Sequence, residues 1–143
     1  TQFAPEPDAG GQFYICPNTA ITIGSPPNSA TGGQAPYTYL WSNGETTATP
    51  SVTPTESSIY TLTVTDANGC VQVDQANVTT YVADAGADQT VVINDIIILD
   101  GNKSSDPDGT NLSFNWSVVS TPTNSTTSLD DNTSGSPSFT KPA

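Results

Sequence analysis

The sequence predicts an all-β chain of two tandem β-sandwich modules, the second lacking its C-terminal strands. Three observations lead there. Apolar residues alternate with Thr and Ser at the period of two that a half-buried strand requires, and no helical stripe is present. Gly, Pro, Asn and Asp break these runs every 8 to 12 residues, the spacing of short strands joined by turns. The chain also repeats itself. Asp8-Ala9-Gly10 returns as Asp84-Ala85-Gly86, Tyr37-Thr38-Tyr39-Leu40-Trp41-Ser42 returns in pattern as Leu112-Ser113-Phe114-Asn115-Trp116-Ser117, and Thr49-Pro50-Ser51-Val52 returns as Ser136-Pro137-Ser138-Phe139.

In the first module, residues 1–82, strands are expected at 12–16, 20–24, 37–41, 45–49, 59–65 and 70–82. Asn43-Gly44 and Asn68-Gly69 separate strand-like runs and supply the positive φ of tight hairpins, which sets antiparallel neighbours. Along 59–65, Tyr60, Leu62 and Val64 share one face, the pattern of a strand with one side in a core. Trp41 and Trp116 end alternating strands at equivalent places, so both are expected in sandwich cores, with Tyr60 as a core or corner tyrosine. The second module, residues 83–143, follows after one or two residues, which makes the tandem semi-rigid. Between its last two landmarks the offset from the first copy grows from 75 to about 87, placing about a dozen extra residues within 118–135. Pro142 matches Pro54, and counterparts of the two longest strands do not follow. The expectation is a boundary within a longer protein; the alternative is that another chain donates the missing strands.

Composition narrows function. The 143 residues hold 14 Asp and Glu against two Lys, with no Arg and no His, for a net charge of −12. Polarity rests on 23 Thr and 16 Ser. Without a basic footprint, nucleic-acid binding is not expected. Lack of His removes the usual general base and most transition-metal sites. The longest apolar run, Ile96 to Leu99, is four residues, so no membrane span is expected. No leader is visible, and Thr1 opens directly into polar sequence, as in a mature fragment or a piece of a longer protein. No nucleophile motif, phosphate loop or CxxC occurs, so no enzyme is expected. Asp130-Asp131, or Asp106 with Asp108, resemble a glycosidase pair only in composition; in turn-rich sequence they read as solvated aspartates. Sequons at Asn77, Asn102, Asn111, Asn115, Asn124 and Asn132 are expected by chance in so Asn-, Ser- and Thr-rich a chain.

Asp106-Pro107-Asp108-Gly109, with Asp100 and Asn102 just upstream, is the densest acidic cluster. It reads as a β-turn, Pro presetting φ and Gly accepting positive φ. The alternative is a calcium site in which Asp100, Asn102, Asp106 and Asp108 supply hard oxygens.

The stretch from Cys16 to Ile23, Trp41-Ser42-Asn43-Gly44, Tyr60-Thr61-Leu62-Thr63-Val64-Thr65-Asp66 and Asn68-Gly69-Cys70 resemble the immunoglobulin-like repeats of large secreted and surface proteins of gliding-type bacteria. The second copy, with Asp84-Ala85-Gly86-Ala87-Asp88-Gln89-Thr90-Val91, Leu99-Asp100-Gly101, Ser104-Ser105-Asp106-Pro107-Asp108-Gly109 and its Trp116 strand, resembles the polycystic kidney disease (PKD) type of immunoglobulin-like domain. The resemblance implies a non-catalytic spacer or adhesion segment, extracellular or cell-surface attached, often exported by the type nine secretion system. Implied partners are neighbouring repeats and a surface protein or polysaccharide. The alternatives are a polysaccharide-binding accessory module of a degradative enzyme and a fibre subunit joined by strand donation. In such a secreted chain Cys16 and Cys70 read as a disulfide closing a 54-residue loop, against the alternative of free or metal-binding thiols.

Overall fold

The computed structural model describes residues 3–109, 111–123 and 126–140. The protein is all-β: among the described residues there is no helix, hence none long and apolar enough to cross a membrane. The chain forms two compact units, Thr1–Thr80 and Tyr81–Ala143.

In the first unit, β1 (Pro5–Pro7) pairs antiparallel with β4 (Ala30–Gly32), and β3 (Ile21–Thr22) with β6 (Ser51–Val52). Opposite them stands a four-stranded sheet in the order β2 (Gln12–Ile15), β8 (Val71–Thr80), β7 (Ser58–Thr65), β5 (Thr38–Trp41). Pairing is antiparallel from β8 to β5, whereas β2 runs parallel to β8, with Gln12 beside Asn77 and Ile15 beside Thr80. Alternation along β7 and β8 points Leu62, Val64, Ala76 and Val78 into the core, where they meet Ile15, Ile23, Trp41 and Val52. Tyr60 packs half-buried against the same cluster.

Two local expectations are corrected. Residues 45–49 form no strand, because the Glu45 carbonyl turns back to accept the Trp41 N–H at 2.8 Å and the chain reaches β6 through a loop. The Asn-Gly pairs do not carry positive φ at both positions; only Gly44 (φ 89°) and Gly69 (φ 81°) do. Gly44 N–H bonds the Trp41 carbonyl and Gly69 N–H the Asp66 carbonyl, so each is a turn closed by a left-handed glycine rather than a two-residue hairpin loop. The strands β1 and β4 escape sequence inspection because β1 is short and bounded by proline, which only an edge tolerates.

In the second unit, β9 (Ile96–Ile98) pairs antiparallel with β10 (Ser138–Thr140), Ile97 opposite Phe139. This is the β3–β6 ladder again, displaced by 76 residues on one strand and 87 on the other. Leu99 N–H donates to the Pro137 carbonyl as Ile23 N–H does to that of Pro50. Val82 and Ser105 form an isolated antiparallel bridge. Ile97 and Pro137 are the large residues sealed from solvent in this unit.

Candidate functional site: the tryptophan strands, the acidic turns and the cysteines

Each tryptophan is clamped by the loop that follows it in the chain. Trp41 donates its indole N–H to the Thr47 carbonyl at 3.0 Å and its backbone N–H to that of Glu45. Trp116 does the same with Ser134 at 2.9 Å and Asn132 at 2.8 Å. The two acceptors stand 87 residues after their counterparts and the tryptophans 75 apart, so the added residues fall in sequence between Trp116 and Asn132 and leave the clamp in place. The aspartates of the two Asp-Ala-Gly motifs also match: Asp8 accepts Gly10 N–H, and Asp84 accepts Gly86 N–H.

The environments of the rings differ. Trp41 is 1% exposed in the core cluster, beside its β7 neighbour Leu62 in the sheet and with Val64 in the same cluster. Trp116 is only half-buried, and no described strand pairs with residues 112–116. Beside it lies a groove of about 430 Å³ lined by Val82, Ala85, Leu112, Phe114 and Trp116. Trp116 rests on a close backbone approach, since a Cβ at Gly101 would stand 2.9 Å from its ring. The groove was not singled out from sequence, although Leu112, Phe114 and Trp116 alternate there.

The acidic residues are spent on local turns. Asp100 accepts both the backbone and side-chain N–H of Asn102, whose amide also donates to Ser136. Asp106 caps Asp108 N–H, and Asp108 accepts the Tyr81 hydroxyl at 2.7 Å. Of the four residues weighed for calcium, Asp100 and Asn102 are bonded to each other, and among the described residues no three His, Cys, Asp or Glu side chains form a metal-holding group. Asp130 holds the backbone and hydroxyl of Ser138, and Asp131 those of Thr133. These bonds hold both carboxyls below the usual 3.8, which keeps them ionised rather than poised as acids. The sequon at Asn124 lies outside the described residues, as do Lys141 and Pro142.

Asp66 escaped the sequence reading. It is 5% exposed in the β7–β8 turn. Burial pushes its carboxyl up, but N–H groups of Cys70 (2.8 Å), Gln34 (3.0 Å) and Asn68 (2.9 Å) outweigh this and bring it below 3.8. The signal was available: an Asp directly before a Gly-bearing turn is an Asx cap.

No disulfide joins Cys16 to Cys70 in this structure. The parallel register of β2 with β8 places Cys16 just beyond the Thr80 end of β8, whereas Cys70 directly precedes Val71 at its other end. Ten strand residues separate those ends, about 30 Å at roughly 3.3 Å each, against the roughly 7 Å limit between bridged Cα atoms. The structure accordingly holds no bond between their sulfurs. Of the scattered aromatics, Phe3 and Tyr14 are exposed, while Phe13, Tyr37 and Tyr81 are half-buried.

Residues 85–143 match a family model described as "K319L-like, PKD domain". The match covers less than half of the chain and lies wholly within the second unit. The search of curated proteins produced no match.

Proposed function

We propose that the chain is a non-catalytic structural and adhesive segment of a larger secreted or cell-surface protein, two immunoglobulin-like modules in tandem serving as a semi-rigid spacer. The observation that carries this reading is the recurrence of one ladder and one tryptophan clamp, at offsets of 75–76 residues before the insertion and 87 after it, as a duplicated module with one insertion requires. The PKD match of residues 85–143 supports it for the second copy. Stiffness is inferred from the lack of a Gly- or Ser-rich linker near residues 80–84. The bacterial setting and type nine export remain part of this proposal and rest on sequence resemblance alone. Small-angle scattering on the 143-residue chain tests the spacer role. We expect an elongated particle with one dominant distance between modules; a broad distribution of distances removes the semi-rigid spacer.

A second reading, a subunit joined by strand donation, is favoured by one observation. Among the described residues, the half-buried Trp116 and its groove lack a neighbouring strand like the one β7 gives Trp41. It predicts open-ended polymers that lengthen with concentration in the same scattering samples.

A further inference from the structure

The β2-β8-β7-β5 sheet has an outer face. By register it carries Gln12 and Tyr14 of β2, every second residue from Val71 to Thr79 of β8, Ile59 to Thr65 of β7, and Thr38 and Leu40 of β5. None of these side chains is charged. Tyr14, Leu40, Ile59, Val71 and Val73 are 45–63% exposed there, set among threonines. The acids of this unit lie elsewhere. Glu6 and Asp8 belong to and follow β1, Glu45 and Glu56 sit in connections, and Asp66 is tied into its turn. Asp74, opposite Leu62 on the inner side, accepts the Ala9 N–H.

An uncharged face on a unit with six carboxylates and no Lys or Arg has a physical consequence. Two copies approaching by the surfaces of this unit that carry its acids set carboxylates against carboxylates, whereas two copies meeting by this sheet bury only uncharged groups: apolar side chains, hydroxyls and the amides of Gln12, Gln75 and Asn77. We propose that the outer face of the β2-β8-β7-β5 sheet is a self-association surface whose occupant is the same face of a second copy of the chain, packed about a two-fold axis. Strands about 4.8 Å apart and roughly 3.3 Å per residue give on the order of 400 Å² per copy. That is about half the roughly 800 Å² per partner of a stable complex, so the contact is weak and reversible. A weak contact of this kind gains strength when many copies are held on one surface. A neutral polysaccharide fits less well, because a sugar-stacking platform needs several rings and this face offers Tyr14 alone.

Sedimentation velocity on the full chain tests the proposal. The expected result is a monomer–dimer equilibrium with a dissociation constant of about 10⁻⁵ to 10⁻³ M, tightening as added salt screens the distant carboxylates. Val73→Lys and Leu40→Lys, on different strands and solvent-facing, each weaken it at least about tenfold by burying charge in the contact, with circular dichroism and melting unchanged. Glu56→Lys, off the face, leaves it in place. A chain that stays monomeric at about 1 mM in high salt overturns the proposal, as does a dimer that both lysine variants leave intact. Binding of a soluble β-glucan that the lysine variants abolish, without self-association, overturns it in favour of a sugar.

Discussion

Asp66 shows how one carboxylate organises a turn. Two of its backbone N–H donors, Asn68 and Cys70, lie in the β7–β8 connection and the third is Gln34, so ionisation ties the turn to a separate loop. Its folded-state value lies below the ordinary 3.8, so it stabilises the fold above that pH, and this contribution fades as pH falls through 3.8 toward the folded value. Asp130 and Asp131 are shifted the same way and add to the same acid-side loss. Asp66→Asn is expected to lower the melting temperature by several degrees at neutral pH and to flatten its decline below about pH 4; equal slopes for variant and parent in a pH series of thermal melts would contradict this. Trp41 and Trp116 offer a second comparison. Trp41→Phe replaces a buried indole by a smaller ring and leaves the Thr47 carbonyl without its donor, which costs about 2–4 kcal/mol. Trp116→Phe loses an equivalent bond in a half-buried site and costs less than half as much. Denaturant unfolding of the two variants reads the difference directly.

At the scale of elements, the cysteines give the sharpest check, because the β2–β8 register keeps them apart at opposite ends of one strand. Two thiols per chain are expected to titrate after denaturation without reductant; a count of zero would sink that register. The long strands were legible because β7 alternates strictly: Tyr60, Leu62 and Val64 face one side and three threonines the other. The offsets of the repeat were legible too, and they reappear as the spacing of the β9–β10 ladder and of the Trp116 clamp. What failed was non-local. A parallel partner for β2 leaves no mark in the sequence of either strand, and with it the separation of Cys16 from Cys70 was hidden. Residues 45–49 had the composition of a strand, but the Trp41–Glu45 bond, a matter of local geometry, turned them into a loop. The acidic turns were recognised as turns. Whether their carboxylates converge depended on side-chain bonds such as Asp100 to Asn102, which spacing alone does not specify.

For the molecule as a whole, charge and topology act together. A net −12 with two lysines keeps copies apart wherever carboxylates face outward, so solubility and selective contact come from the same uneven distribution. The threonine-rich sheet face is where that repulsion is absent, and it occupies the same sheet that joins the beginning of the first unit to its end. The strands β2 and β8 run side by side in one direction, Gln12 beside Asn77 and Ile15 beside Thr80. A pull that draws the first unit out by its two ends therefore drags these strands lengthwise past one another. The hydrogen bonds between them share the load and must give way together, instead of opening one at a time like a zipper. Once the three-residue β1–β4 ladder has opened, tension on an anchored array would thus be met by the strand pairing that keeps Cys16 from Cys70, and the lifetime of the module under tension would be set by that seam and its unfolding rate rather than by the size of its core.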